Sequence, residues 1–479
     1  MNLQKSLPAL GLFAPLLCAG CRVGPNYIRP VAPTPPSFSE NGRNGNWADA
    51  APADDKDRGA WWTLYHDAEL TQLEERCVAS NQTLNAALHA YDQAHQLVLA
   101  NKSSLYPTVS LGGSANRNRI SNTRPLRPAN ASQYYWDFLI PLNVSWEPDF
   151  WGRIRRQIES SSANAQASAA DLANVRLSLQ GTLALTYFQI RGIDLQAQLL
   201  QKTIDAYTSM LKLTQDRLKR GLSNESDVQQ ATAQLEAARA ELVGLGVQRA
   251  QNEHAIAVLV GVPATGFRIA DKALVGDPPA IPTGIPSELL ERRPDIASTE
   301  RRVASANALI GVAKGAYYPR IVLGAGGGVE SSIIGDVFNA GSATWYAGPS
   351  ASEVLFDAGK RRAQVEFAVA QRDQAAALYR EQVLSAFRDV EDQLSALRVL
   401  AEQAEVQQRA VAAAQRSTQL SISRYKGGLA AYLEVLTNQT IQLNDERIAA
   451  SLVTGRILAS AQLQVALGGG WNASQLPQN

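Results

Sequence analysis

Two hydrophobic periods organise this chain. The seam positions Val383, Phe387, Val390, Leu394, Leu397, Ala401, Ala404, Gln408 and Val411 alternate steps of four and three, as do Leu200, Ile204, Tyr207, Leu211, Thr214 and Leu218. A mean step of about 3.5 residues makes a coiled-coil seam. Ala and Gln at several of these positions make it thinner than a leucine zipper, which suits helices packed side by side in a wall. Both seams lie in proline-free tracts, at about 152–220 and 359–427. At about 1.5 Å per residue each tract predicts a rod of roughly 100 Å, longer than an ordinary globular domain needs. A further Ala-, Leu- and Gln-rich stretch from Glu69 to about Ser104 predicts a helix that stops before Tyr106 and Pro107.

Between the helices the period is two. Tyr134, Trp136, Phe138, Ile140, Leu142, Val144 and Trp146 share one face, and Tyr135, Asp137, Asn143, Ser145 and Glu147 fall mostly on the other. An apolar face with aromatic ends fits a strand facing lipid, since a membrane strand needs about 9–11 residues with aromatics at the interfaces. The same alternation also fits a soluble sheet. Thr108–Asn116, Arg320–Ser331 and Thr344–Phe356 are Gly- and Ala-rich candidates for further strands. Four strands do not close a barrel, because the smallest membrane barrels have about eight. Copies of the chain must then pool strands, and two, three or more are open on this argument.

An internal duplication underlies both periods. Gly152-Arg153 returns as Gly359-Lys360, Arg217 as Arg424, Gly221-Leu222 as Gly428-Leu429, Asp227-Val228 as Glu434-Val435 and Val260-Gly261 as Leu467-Gly468, all at a shift of 207. A second shift of 212 joins Lys102, Tyr106-Pro107 and Leu111 to Lys314, Tyr318-Pro319 and Leu323. The reading divides the chain into 1–20, a signal peptide; 21–60, a lipidated Pro-rich tether; 61–268, the first repeat; 269–286, a linker; 287–470, the second repeat; and 471–479, a tail.

The N-terminus places Lys5 before an apolar run from Leu7 to Leu17 and then Ala19-Gly20-Cys21, the plan of a secretory signal with a lipobox. Cys21 is then the lipidated first residue of the mature chain, although Cys18 stands where such boxes usually have Leu. Cleavage leaves Cys77 as the remaining thiol, so no intramolecular disulfide forms. No stretch of 18 or more uncharged apolar residues follows.

Composition narrows the chemistry. The 479 residues are 45% apolar and 19% charged, with 45 Lys+Arg against 44 Asp+Glu. A net charge of +1 leaves no polybasic footprint for nucleic acid. The four histidines are His66, His89, His95 and His254, with no HExxH, CxxC or P-loop, and Gly324, Gly326, Gly327 and Gly328 lack dinucleotide-loop spacing. His89 and His95, six apart, do not stack on one helical face as metal ligands. No enzyme, cofactor or metal centre is expected. Trp61 and Trp62 are expected to anchor the core.

Five strings carry a resemblance: Gly24-Pro25-Asn26-Tyr27, Trp61-Trp62, the Trp146–Arg156 segment, Arg292-Arg293-Pro294-Asp295-Ile296 and Phe356-Asp357-Ala358-Gly359-Lys360. The fourth continues through Glu300, Ala306, Gly311, Lys314 and Tyr318-Pro319. With these the chain resembles outer-membrane efflux channels of the TolC/OprM type, in the NodT-like lipoprotein branch, over nearly all of its mature length. The resemblance implies a mainly α fold with a β membrane part, a homotrimer with a 12-stranded barrel continuous with a 12-helix periplasmic barrel. It also implies a lipid-anchored place in the outer membrane, a periplasmic adaptor and an inner-membrane pump as partners, and a passive conduit for small toxic compounds. Arg22 after Cys21 does not give the Asp signal that retains lipoproteins in the inner membrane. The alternatives are a secretion-type export channel and a structural lipoprotein coiled coil without a pore. Cargo is not legible, because pump and adaptor choose it.

The resemblance puts the two helix turns at the periplasmic mouth. Arg217, Gly221, Leu222, Ser223, Arg424, Gly428 and Leu429 are the candidate docking tips, with Ser223 or Asn224 capping the next helix. Glu434 and Asp227 are candidate gate residues, as acidic rings about the axis. Thr437 stands where relatives often have Asp, and Ala430-Ala431 add no polar group. Asp149, Gly152, Arg153, Asp357, Gly359 and Lys360 lie where strand becomes helix, a turn that needs a cap or a glycine.

Overall fold

The computed structural model describes residues 22–32, 34–42, 60–121, 123, 132–274, 276–279, 292–471, 474 and 476. The signal stretch and Cys21 lie outside the described residues. The first repeat contributes α1 (Ala68–Ser80), α2 (Gln82–Ser103), β1 (Thr108–Leu111), β2 (Ser114–Arg119), β3 (Tyr134–Trp146), α3 (Arg153–Lys219) and α4 (Glu225–Leu259). The second contributes α5 (Pro294–Gly315), β4 (Arg320–Ser331), β5 (Ala343–Ser352), α6 (Lys360–Lys426) and α7 (Tyr432–Ala466). Helices α3 and α6 each run 67 residues and α4 and α7 each 35, with both ends of each pair displaced by the repeat shift.

Where one helix was expected from Glu69 to Ser104, two are found. The break is Asn81, in extended backbone, whose Oδ1 accepts from the Leu84 N–H at 3.0 Å and whose Nδ2 donates to the Leu259 carbonyl at 2.9 Å. An N-cap that also binds another helix starts α2 afresh and pins it to the end of α4.

The helices form a wall. α5 lies between α3 and α6, α3 also packs on α2, α4 and α7, and α6 packs on α7. Val383, Phe387, Val390 and Leu394 are buried, as the seam requires. Further along, the seam takes two three-residue steps in succession, Ala401, Ala404 and Gln407, so Gln408 is exposed and the burial passes to Ala414, Thr418, Ser421 and Tyr425. Gln407 Nε2 donates to the Asp445 carbonyl at 3.0 Å, which sets this phase. Where α3 meets α7, glycines allow close approach. A Cβ on Gly181 would fall 2.7 Å from Val465 Cγ2, and one on Gly192 would fall 2.6 Å from Thr454 Cγ2. α7 is also long and apolar enough to cross a membrane by length and composition, a feature the uncharged-run criterion passed over. It carries Asp445, Glu446, Arg447 and Arg456 and packs within the wall.

A belt around the middle of α3 holds the elements together. Trp61 and Trp62 are buried with Leu70, Leu183, Tyr187 and Ile256. Beside them Arg191, 2% exposed, donates to Glu69 (2.5 Å), Tyr187 Oη (2.8 Å), Asp194 (3.4 Å) and the Ala270 carbonyl (2.5 Å). Arg249 completes the network with Asp194 (2.7 Å), Glu253 (2.7 Å) and Asp271 (2.6 Å).

The described part of the Pro-rich segment follows the helices as a strap. Val23 N–H donates to the Trp151 carbonyl at 3.1 Å, and Arg156 donates to the carbonyls of Val23 (3.1 Å) and Gly24 (3.3 Å) and to Asn26 Oδ1 (3.1 Å). Gly24 crosses Gly311 so closely that a Cβ on it would lie 2.4 Å from Gly311 Cα. Tyr27 donates to Glu300, with the Arg301 guanidinium 5.6 Å from its ring. Phe38 is buried against α6, and Glu40 accepts from Arg398 at 2.6 Å.

The sheet is antiparallel in the order β1/β2, β3, β4, β5. β1 and β2 share one register on β3, Thr108 opposite Ser145 through Arg119 opposite Tyr134, and so are one interrupted strand. The interruption faces Pro141. Gly112 N–H donates to the Pro141 carbonyl at 2.9 Å, but Pro141 has no N–H to return to Gly112, and the ladder lapses there. On the other side Pro141 faces Gly328, where a Cβ would fall 2.3 Å from the Ile140 carbonyl. Glycine opposite proline is what lets proline occupy an interior strand. The outer edges of β1/β2 and of β5 pair with no other described strand.

Candidate functional site

Both helix turns close in the same way. Gly221 and Gly428 take φ of +73° and +74°, and the N–H of Leu222 and of Leu429 returns to the carbonyl of Arg217 and of Arg424 at 2.9 and 2.8 Å. A left-handed glycine with this bond ends a helix while satisfying its last carbonyls. Each arginine then reaches its own turn, Arg217 to the Leu222 carbonyl (3.4 Å) and Arg424 to the Leu429 carbonyl (3.5 Å). Leu222 and Leu429 project at the ends, 62% and 75% exposed.

The side chains break this symmetry. The Arg217 guanidinium lies 4.7 Å from the centre of the Tyr425 ring and donates to the Lys426 carbonyl at 3.2 Å, bridging the first hairpin to the second. Arg424 instead pairs with Glu434 at 2.7 Å, inside its own hairpin. Ser223 Oγ donates to Asp227 at 2.6 Å and lies 3.4 Å from the Tyr425 hydroxyl. Asn224 is therefore the cap of α4, its Oδ1 accepting from the Asp227 N–H at 2.8 Å, while Ala431 gives α7 no side-chain cap. Behind the tips, Tyr425, Tyr432, Met210, Ala231 and Val435 form a small core common to both hairpins. Burial, with a smaller push from the Asp227 carboxylate, raises the Tyr432 phenol to about 12, so it stays neutral.

Asp227 and Glu434 thus each hold a partner within the chain. Tyr425 and Tyr432 were not among the candidate residues. The repeat shift sets Tyr425 against Leu218 and Tyr432 against Glu225, so the repeat itself did not mark either ring.

The strand-to-helix turns have a different chemistry. Gly152 and Gly359 sit at the N-caps with φ of +77° and +87° and have no side chain with which to cap. The preceding aspartates do it from a distance. Asp149 accepts from the N–H of Ile154 (3.0 Å) and Arg155 (2.8 Å), and Asp357 from that of Gly359 (3.1 Å) and Arg361 (3.1 Å). The second turn is one residue tighter between Asp and Gly and places Ala358 at φ +51°. Arg153 shares Glu147 with Arg320, at 2.8 and 2.7 Å, tying α3 to the start of β4. Lys360 is exposed, and it is Arg361 that engages, with Asp357 (2.7 Å), Glu353 (2.7 Å) and the Tyr317 ring (5.2 Å). Trp151 stacks on Tyr318 at 5.0 Å and its Nε1 donates to the Pro319 carbonyl, which explains the Tyr-Pro string.

No group of three or more His, Cys, Asp or Glu side chains suited to a metal occurs among the described residues. What the geometry offers is a pair of long hairpins with linked tips, set beneath a sheet with open edges.

Known proteins share this plan. The family model described as outer membrane efflux protein matches residues 74–262 and 285–469, one block in each repeat. The chain is 31% identical over 478 residues to the solvent efflux pump outer membrane protein SrpC of Pseudomonas putida, covering 98% of this chain and 99% of that one. It is 28% identical over 460 residues to the cation efflux system protein CusC of Escherichia coli, covering 95% and 97%. The solved outer-membrane channel OprN superposes with a TM-score of 0.87 at 28% identity, over 94% of this chain and 100% of that one. On these matches the chain belongs to the outer membrane efflux protein family.

Proposed function

We propose that this chain is the outer-membrane channel subunit of a tripartite efflux system, working as a homotrimer docked to a periplasmic adaptor and an inner-membrane pump. The single observation that carries the reading is the sheet: four strand positions, two open edges, and one apolar face, standing on two hairpins of 67-residue helices. β3 has 13 residues. At about 3.3 Å each and a tilt near 45° it spans about 30 Å, the hydrocarbon thickness. Joining β5 of one copy to β1/β2 of the next removes every edge when three copies close a 12-stranded barrel, and the helices then continue as a 12-helix tunnel.

Cys21 carries the lipid in this reading. Val23, two residues on in sequence, donates to the Trp151 carbonyl at the strand-to-helix turn. The hairpin ends form the periplasmic gate, with Arg217, Tyr425, Ser223 and Asp227 joining the hairpins of one chain and exposed Leu222 and Leu429 offered to the adaptor. Transport is passive, and the chain is not an enzyme. Relatives of similar identity are named for solvent and for cation efflux, so cargo follows the pump and not the conduit.

Purified outer-membrane protein, cross-linked and then reconstituted in planar bilayers, tests this reading. A trimer with discrete conductance steps is expected. A monomer without conductance overturns the channel and leaves the non-pore coiled coil.

A further inference from the structure

The far end of the sheet, away from the helices, is chemically lopsided. Arg117 faces Trp136 and Arg119 faces Tyr134 across the β2–β3 ladder, and residues directly opposite share a face. That is the apolar face of β3, where Trp136 stacks on Phe138 at 5.6 Å. The two guanidinium carbons lie 5.8 and 5.6 Å from the centres of the Trp136 and Tyr134 rings. Both arginines are exposed; the Gln133 side-chain oxygen accepts from Arg119 Nε and Nη2 at 3.2 Å, and neither arginine forms an ion pair with a carboxylate among the described residues. In sequence the connection from Ile120 to Gln133 adds Arg124 and Arg127 and no acid, whereas the whole stretch from Ile321 to Ala358, which holds the other hairpin, contains no Lys or Arg.

We propose that Arg117 and Arg119 form a binding site for the phosphate of a phosphorylated glycolipid in the outer leaflet of the outer membrane. The inference rests on the barrel reading above, which sets this face against lipid. A guanidinium lying over an aromatic ring presents its N–H donors at its edge, so the fork of Arg117 matches phosphate oxygens in bidentate fashion, while Arg119, with two nitrogens on Gln133, adds its charge and its remaining nitrogen. Cross-strand packing alone would be served by any long side chain. Two cations with no carboxylate partner among the described residues, at the rim of an apolar face, ask for an anion attached to acyl chains, and Trp136, Phe138 and Ile140 line up below the arginines to receive those chains. The end of the strands remote from the periplasmic helices meets the leaflet that is built of phosphorylated glycolipid. The duplication places the site on the first hairpin alone, once per chain.

The test uses the detergent-purified full-length trimer and measures its thermal shift and bound lipid by native mass spectrometry. The probes are bisphosphorylated lipid A, dephosphorylated lipid A and phosphatidylglycerol. Wild type should retain and be stabilised by the bisphosphorylated form, clearly more than by the other two, and R117Q/R119Q should lose about tenfold or more in apparent affinity, with R117K/R119K intermediate. If the double variant does not assemble, R117Q and R119Q separately should each show part of the loss. Equal response to phosphatidylglycerol, an undiminished response in the variants, or no response in wild type overturns the site. Absence of a trimeric barrel in wild type overturns the channel reading itself, an outcome visible in the same spectra before lipid is added.

Discussion

Replacing Arg217 by alanine separates the two hairpin tips, and the structure sets how much that is worth. The guanidinium lies 4.7 Å from the Tyr425 ring and bonds the Lys426 carbonyl at 3.2 Å. A cation–π contact contributes about 0.5–2 kcal/mol, depending on how far it is desolvated, and this one sits over a ring that is 3% exposed. The carbonyl bond adds about 0–1 kcal/mol at an exposed site, and from the middle of the two ranges one latch is worth about 1–2 kcal/mol. In a trimer whose chains open together, three latches sum to about 3–6 kcal/mol, and since about 1.4 kcal/mol is tenfold, open probability should rise roughly 10²- to 10⁴-fold. Arg424 occupies the same position in the repeat, yet its partner Glu434 is on the same hairpin and both side chains are solvated, at 55% and 37% exposure. Such a pair is worth about 0–1 kcal/mol and ties nothing across the gate. R217A should therefore open the channel in planar bilayers without an adaptor and sensitise cells to large antibiotics, while R424A changes little. Equal opening by both variants, or R217A within threefold of wild type, would refute the latch.

Three further outcomes follow from the wall. Arg191→Met leaves Asp194 short of a partner in the belt and should destabilise the folded chain by about 3–5 kcal/mol in a denaturant or thermal melt, with Arg191→Lys recovering less than half. Glu74 is fully buried in α1 with neither carboxylate oxygen bonded, and burial pushes its carboxyl up to about 9 from 4.5. The folded chain therefore binds a proton that the unfolded chain releases, so stability is full below about pH 4.5 and falls by about 1.4 kcal/mol per pH unit as pH rises toward 9. Glu74→Gln should flatten that decline in melts taken from pH 5 to 9; an unchanged slope would show the group to be ionised in the fold. Gly192→Leu drives a side chain into Thr454, where even a Cβ falls within 2.6 Å, and should cost about 1–3 kcal/mol or block assembly on a native gel, whereas Gly246→Ala, with open space around it, should be silent.

The regular elements were legible because they repeat. The 207-residue shift placed both ends of the long helices, and alternation placed β3, since period and proline spacing are local properties of the chain. Contacts between unlike elements were not legible. Asn81 splits a helix because the carbonyl of Leu259 is there to bind its side chain. The seam shifts from Gln408 to Gln407 because Asp445 accepts from it. Pro141 interrupts β1/β2 only through the strand laid beside it. At the turns, Lys360 carried the repeat's basic character, but Arg361 faces Asp357 and Glu353. In each case the deciding partner is remote in sequence and belongs to no period.

The differences between the repeats bear on how a gate made from them moves. In a closed ring, the six hairpin ends of three chains alternate, so every hairpin has one neighbour in its own chain and one in the next. Within a chain, Arg217 meets Tyr425. If the repeat relation carries across the boundary, Arg424 of one copy faces Leu218 of the next, and a leucine offers no ring face to a cation and no hydroxyl to Ser223 or its equivalent, Ala430. Arg424 instead turns back to Glu434. The latch is then strong inside each chain and weak between chains. Dilation should begin at the three chain boundaries and be completed only when the two hairpins of each chain part at their tips, the step that the Arg217 latch opposes. An adaptor gripping exposed Leu222 and Leu429 must then supply a preference for the parted tips that offsets three latches, about 3–6 kcal/mol distributed over three sites.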